Sequence, residues 1–421
     1  MNDVLEELQW RGLIAQHTDL QALSDALDEG SVTFYCGFDP TGPSLHHGHL
    51  VPVILMKHLQ NAGHRPLALV GGATGLIGDP RASGERQLQS TQIVEQWAAS
   101  LRSQLERFLD FGGPNAAVMV NNLDWIGQMS AIELLRDVGK YFRMGTMLNK
   151  DIVARRLKSD EGLSFTEFSY QILQGYDFLE LFRRYGCTLE TGGNDQWGNL
   201  VGGMDLIHKV EGESVHVLTT PIITKSDGTK FGKTEGGAIW LSPELMSPYA
   251  FYQFWLQTAD EDVIRLLKIY TFLSREEIAG LEQQVMGEPH KRQAQKMLAS
   301  EVTRFVHGAD ALNQVLAATD ALWGSGDLGQ VDGQTLRSAV EQLPSASFVP
   351  GKTTLLEAVV ALNLEKGNNA ARRTIVGNGI SVNNQKANDP EAVLTVDDLL
   401  PGDLVIVKKG KKNLAALYSQ S

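Results

Sequence analysis

The stretch DPTGPSLHHGHLVPV, residues 39–53, sets three histidines and two glycines between two apolar runs. Ahead of it VTFYCGF (32–38) has the composition of a short buried strand, and behind it LVPVILMKHLQ (50–60) has helical apolar spacing. The stretch is therefore a strand-to-helix turn. A helix N-terminus presents unpaired N–H groups and partial positive charge, which suits an anion. Histidines there donate to phosphate oxygens without adding a permanent charge. A single turn histidine is more often merely solvated, but His46, His47 and His49 around Gly48 point to a site, with Gly48 giving a flat group close approach to the backbone. Pro40 and Pro43 stiffen the entry.

Outward from this turn, short apolar runs alternate with amphipathic ones up to about residue 223. PLALVGG (66–72), AAVMVNN (116–122), CTLETGG (187–193) and VHVLTTPII (215–223) are further strand candidates. TQIVEQWAASLRSQLERFLDF (91–111) and SFTEFSYQILQGYDFLELFRRYG (164–186) separate them as helices. The alternation predicts an α/β fold, a Rossmann-type parallel sheet covered on both faces over residues 1–241. Ligands in such sheets bind outside the carboxyl ends of the strands. The histidine turn, GGATGLIGDP (71–80) and GGNDQWGN (192–199) each follow a strand candidate, so all three belong at that edge. Residues 242–325 read as a helical domain, 326–350 as a Gly/Ser/Pro-rich linker, and 351–421 as a small α+β tail.

Composition bounds the function. The 421 residues are 43% hydrophobic and 21% charged, with a net charge of −13. That balance argues against a chain coated in nucleic acid. From Gly351 onward, however, nine Lys/Arg stand against seven Asp/Glu. Cys36 and Cys187 have neither disulfide-framework nor zinc spacing. No apolar run reaches the ~18 residues of a membrane span, and the acidic first residues carry no leader pattern. The expectation is a cytoplasmic protein with no membrane association and no bound metal.

A second motif, ITKSDGTKFGKTEGG (223–237), places Lys225, Lys230 and Lys233 among glycines, as point charges able to follow a phosphate chain. In a third, YQILQGYD, Tyr170, Gln174 and Asp177 fall within about 60° of one another on a helix, offering a phenol, an amide and a carboxylate. Phe165, Phe168, Ile172 and Leu179 lie roughly opposite. The polar face is either solvated or lines a pocket.

HHGH with KFGKT resembles the HIGH and KMSKS motif pair of class I aminoacyl-tRNA synthetases. With FYCGFDPT and GYD, the resemblance sharpens to bacterial tyrosyl-tRNA synthetases and spans essentially the whole chain. It implies that Tyr35 and Asp177 read the hydroxyl of L-tyrosine, and that Asp79, Tyr170 and Gln174 hold its ammonium. Cys36, Gly37, Asp39, Gly48, His49, Gly193, Asp195 and Gln196 would surround the adenosine of ATP and the reacting carboxyl group. Thr41, His46, Arg86, Lys230, Lys233 and Thr234 would meet the phosphates. Some family members carry lysines in the loop after GDP. Here it reads RASGER, and Arg81 or no residue takes that place.

The resemblance extends to the tail, where NNAARRTIVGNGISVNN and VIVKKGKKN look like an S4-type RNA-binding module. Arg372, Arg373, Lys408, Lys409, Lys411 and Lys412 are its candidate RNA contacts, and TADEDV (258–263) a source of acidic contacts in an anticodon-facing region. Implied partners are L-tyrosine, ATP with Mg²⁺, tRNA(Tyr) and a second copy of the chain, with 134–148 as candidate interface. A tryptophanyl-tRNA synthetase and a non-catalytic RNA-binding relative are the rival readings. Tyr35 with Asp177 and the S4-like tail weigh against the first, and the complete motif pair weighs against the second.

Overall fold

The computed structural model describes residues 1–81, 84–229, 231–232, 237–324, 326–410 and 413–420. Two compact units emerge, one of residues 1–242 and 258–298, the other of residues 243–257 and 299–421.

The first unit is built on strands β1 (Gln16–His17), β2 (Thr33–Phe38), β3 (Arg65–Val70), β4 (Val118–Asn121), β5 (Cys187–Gly193) and β6 (His216–Thr220). Their order is β1-β6-β5-β2-β3-β4. Strands β2 to β6 are parallel, and β1, which the sequence did not announce, pairs antiparallel with β6. β2 lies between β3 and β5, so the chain winds one way through β2, β3 and β4 and then returns to the other side of β2. That reversal opens a crevice at the carboxyl ends of β2 and β5. Phe34, Tyr35 and Cys36 are all buried because a central parallel strand is covered on both faces.

Two helices that run side by side in the same direction, Phe165–Tyr185 and Trp197–Glu211, close one face of the crevice. The first starts where Ser164 accepts the Glu167 N–H, and ends at Gly186 in the left-handed region (φ 64°). Phe178, Leu179 and Leu181 from it pack with Leu206, Ile207, Leu67 and Leu69 in one apolar core.

In the second unit, β7 (Ser345–Phe348), β8 (Ile380–Val382), β9 (Gln385–Ala387), β10 (Leu404–Lys409) and β11 (Asn413–Ser419) form a sheet of order β7-β11-β10-β8-β9. Asn383 and Asn384, both at positive φ, make the tight turn between β8 and β9. Phe348, Val359, Ile375, Val405 and Leu417 are among its core residues.

The stretch expected to be a linker is folded. It contains the helix Gly333–Val340, with Leu336 and Val340 fully buried, and then β7, one of the two edge strands of the sheet. One of its glycines serves close contact. A Cβ on Gly333 would sit 2.5 Å from the Gly402 amide nitrogen. The helical region 242–325 is likewise not one body, since residues 258–298 group with the first unit and the rest with the second. Among the described residues no helix is long and apolar enough to cross a membrane.

Candidate active site

A cavity of about 690 Å³ occupies the crevice. Tyr35, Cys36, Gly37, Asp39, Thr41, His46, Gly48, His49, Asp79, Arg86, Tyr170, Gln174, Asp177, Gly193, Asp195 and Gln196 all line it. Lys230, Lys233 and Thr234 lie outside the described residues.

The histidine turn divides into two jobs. His46 is the N-cap of the helix His47–Asn61, its Nδ1 accepting the Gly48 N–H at 3.1 Å, while His49 Nδ1 accepts the His46 N–H at 3.1 Å. This is a capping box made of two imidazoles, stacked with ring centroids 3.9 Å apart. Because both Nδ1 atoms accept, each neutral ring carries its proton on Nε2. Burial lowers both pKa values, so the rings are neutral N–H donors at neutral pH. Gly48, which lines the cavity, also serves the cap. A Cβ there would come 2.9 Å from His46 Cε1, so the glycine makes room for the capping ring.

His47 turns away to the lysine-rich segment. Its Nε2 bonds the Phe231 carbonyl at 2.9 Å, and its ring fills the space where Gly232 lacks a Cβ. Backbone bonds from His47 to Ile239 and from Leu241 to Leu45 tie down the far end of the same segment. Its near end is held by the helix Asp260–Tyr270: Asp262 Oδ1 accepts the Ser226 N–H at 3.0 Å, Glu261 accepts the Ser226 hydroxyl, and Arg265 donates to the Thr224 carbonyl. The acidic residues of TADEDV thus brace this segment, a use invisible without the contact across 36 residues.

At the closed end of the cavity, Asp177 is buried with one donor on each oxygen: Asn122 Nδ2 on Oδ2 at 2.9 Å and Trp125 Nε1 on Oδ1 at 2.8 Å. Burial pushes its pKa up to about 8 while these two donors hold it down. The Tyr35 hydroxyl, nearby and buried, has no hydrogen-bond partner. Asp39 accepts from Tyr170 at 2.7 Å and Thr74 at 2.6 Å, and Asp79 from Gln196 at 2.9 Å and Asn199 at 3.2 Å. Burial raises Asp79 to about 6. Lys150 reaches Asn199 at 3.1 Å, and burial lowers its pKa to about 8.

Arg86 donates to the Asp79 carbonyl at 2.7 Å. The loop between them is held by Arg156, which bonds the Arg81 and Gly84 carbonyls and forms a buried ion pair with Glu167 at 2.9 Å. Arg156, Asn122, Trp125, Lys150 and Glu190, another lining residue, have no counterpart in the sequence reading. Asn122 ends a strand candidate at the sheet's carboxyl edge, a signal that could have marked it.

Residues 27–324 match the family model described as tRNA synthetases class I (W and Y), and residues 335–417 match the tyrosine–tRNA ligase SYY-like C-terminal domain. The tyrosine–tRNA ligase of Streptomyces avermitilis is 57% identical over 419 residues, covering 99% of both chains. The chain belongs to the tyrosine–tRNA ligase family of class I synthetases. The ligase of Kineococcus radiotolerans is 52% identical over 417 residues, again 99% of each chain. Among solved structures, the C-terminally truncated mitochondrial tyrosyl-tRNA synthetase of Aspergillus nidulans has 32% identity and a TM-score of 0.68, covering 74% of this chain and 92% of that one. The tryptophan-bound tryptophanyl-tRNA synthetase of Encephalitozoon cuniculi, at 15% identity and a TM-score of 0.57 over 74% and 91%, shares the fold.

In this ligase the tail residues differ in availability. Lys408 Nζ donates to the Leu322 carbonyl at 2.7 Å, and Lys409 to the Leu364 carbonyl at 3.0 Å and Glu365 at 2.9 Å. Arg372 pairs with Glu391 on the surface and Arg373 is exposed. Lys411 and Lys412 lie outside the described residues.

Proposed function

We propose that the chain condenses L-tyrosine with ATP to tyrosyl-adenylate and pyrophosphate, and transfers tyrosine to the 3′ end of tRNA(Tyr) with release of AMP. One observation carries the reading: the cavity ends in a buried carboxylate, already fixed by two donors, beside an unpartnered phenolic hydroxyl. A substrate phenol donates to Asp177 and accepts from Tyr35. Phenylalanine leaves the Tyr35 hydroxyl buried and unsatisfied, which costs about 1–3 kcal/mol, and forgoes the charge-assisted bond to Asp177.

The ammonium is received by Asp79, by Gln174 Oε1 and by the Tyr170 oxygen, whose own proton is committed to Asp39. The tyrosine carboxylate attacks the α-phosphorus, and charge grows on the departing pyrophosphate. Preorganised donors stabilise that charge without moving: His46 and His49 through Nε2–H, with Thr41, Arg86, Lys230, Lys233 and Thr234. Neutral imidazoles suit this task, since they do not bind the phosphates of ground-state ATP as strongly as fixed cations would. Cys36, Gly37, Asp39, Gly193, Asp195 and Gln196 surround the adenosine and the reacting carboxyl group. Mg²⁺ enters on the phosphates of ATP.

Arg372 and Arg373, with Lys411 and Lys412, contact the tRNA backbone, while Lys408 and Lys409 support the fold that presents them. The chain works in the cytoplasm as a homodimer. Exposed Ile132, Leu135 and Met144, in and beside 134–148, are the apolar surface this pairing would cover.

ATP–pyrophosphate exchange with tyrosine, tryptophan and phenylalanine tests the reading. Exchange should need tyrosine. Dependence on tryptophan, or exchange with none of them, refutes it. For the tail, an Arg372→Gln/Arg373→Gln variant should keep its exchange rate, while the slope of log tRNA affinity against log salt falls by about two. An unchanged slope removes these arginines from the interface.

A further inference from the structure

Three buried polar atoms at the closed end of the cavity lack a hydrogen-bond partner: the Tyr35 hydroxyl, Gln174 Oε1 and Glu190 Oε2. Tyr35 and Glu190 are register partners across β2 and β5, so their side chains leave the sheet side by side on one face. Each is 2% exposed, and both line the cavity. The reading above gives Tyr35 and Gln174 a substrate group to meet, and leaves Glu190 without one. An acid buried against the Phe178 ring, at the point where Gly203 leaves room for its Oε2, is costly unless another group uses it.

We propose that Glu190 is a specificity-determining residue of the phenol end, hydrogen-bonding the Tyr35 hydroxyl and so setting the direction in which that hydroxyl meets the substrate. The proposal rests on the tyrosine-binding reading and deepens it.

The argument is one of donor count. A substrate phenol has one proton, which goes to Asp177, and its oxygen then needs a donor. Tyr35 supplies that donor only if its own proton is not taken elsewhere. An ionised Glu190 would take it, since a carboxylate only accepts, and Tyr35 would then face the phenol as a second acceptor. A protonated Glu190 does the opposite. It donates to the Tyr35 oxygen, and the protons run in one direction from Glu190 to Tyr35, to the substrate phenol, to Asp177.

The surroundings favour the protonated form of Glu190. Burial is the largest influence and raises its pKa well above the usual carboxyl range; Asp177, on the Phe165–Tyr185 helix, pushes the same way. The Tyr35 hydroxyl on β2 and the Gln174 amide on that helix act against this by favouring the ionised form, as does the Lys150 ammonium ahead of the Asp151–Leu157 helix. Cys36 and Cys187, the remaining titratable neighbours on β2 and β5, are buried thiols held neutral by burial.

The test is exchange kinetics with tyrosine and phenylalanine for Glu190→Ala and Glu190→Gln, each with Tyr35 intact and in a Tyr35→Phe background. Glu190→Ala should lower kcat/KM for tyrosine by about tenfold, mostly through KM, with little change for phenylalanine. Glu190→Gln, whose amide N–H donates as the acid does, should restore most of that loss. With Phe at position 35, Glu190→Ala should no longer alter the tyrosine-to-phenylalanine ratio. Equal losses for both substrates, a Gln variant as impaired as Ala, or the same effect with and without the Tyr35 hydroxyl would each overturn the proposal. If the unaltered chain exchanges with tyrosine and Tyr35→Phe shifts the ratio while Glu190→Ala does not, Glu190 alone is misassigned. If the unaltered chain does not exchange with tyrosine, the underlying reading fails.

Discussion

Replacing Trp125 by Phe removes three ring atoms, the indole N–H among them, and keeps an aromatic ring in the site. The indole is 5% exposed and its Nε1–H donates to Asp177 Oδ1 at 2.8 Å. Phe keeps most of the apolar volume and a ring face for the Arg184 guanidinium, which lies 5.4 Å from the Trp125 ring centroid. The lost bond is one to an ionisable acceptor, worth about 1.5–3 kcal/mol, so kcat/KM for tyrosine should fall by about ten- to a hundredfold. Phenylalanine asks nothing of Asp177 and should be activated as poorly as before. A pH arm adds a second readout. Asp177 accepts the phenol proton when ionised, and its pKa stands at about 8, held down partly by Trp125. Tyrosine kcat/KM should therefore fall as pH drops through that region. Loss of the donor raises the pKa, so in Trp125→Phe the falling limb should move to higher pH. The assay is initial-rate exchange with both amino acids between pH 6.5 and 9.5, read beside a denaturation curve. If both substrates lose equally, Trp125 only packs. If neither changes, Asp177 is not the acceptor.

The two histidine roles give separate outcomes. His47→Leu deletes the bond to the Phe231 carbonyl, and should lower the exchange kcat by about two- to tenfold while leaving KM for tyrosine alone; an unchanged kcat would mean the clamp on the lysine-rich segment has no part in activation. His49→Ala removes half of the capping box and should cost about 1 kcal/mol at pH 7.5 by urea denaturation. The folded pKa of His49 lies well below 6.5, so its contribution is fully present above the unfolded value and is lost as pH falls below it. The penalty of His49→Ala should shrink accordingly between pH 7 and 5. A penalty that does not vary with pH would contradict the neutral cap.

The features legible in the sequence are local in origin. Strand and helix periods, the strand-to-helix turn at Asp39–Val53, and the polar face of Tyr170, Gln174 and Asp177 each depend on residues within a few positions of one another. So does the inference that turns following strands share one edge of a parallel sheet. All sixteen described residues expected at the site line the same cavity for that reason. Which polar group satisfies which is set only by the folded chain, because those partners are far apart in sequence. Asn122 and Trp125 reach Asp177 across 55 and 52 residues, His47 reaches Phe231 across 184, and Lys408 reaches Leu322 across 86. Nothing local in KKGKKN distinguishes a lysine held by a carbonyl from one facing solvent. Nor does composition tell a flexible glycine from one that admits a neighbour: Gly48 makes way for an imidazole, Gly232 for another, and Gly333 for the backbone at Gly402. Burial turns such ambiguous residues into specific ones, since a polar or tightly packed group removed from water must find its partner or its space within the fold.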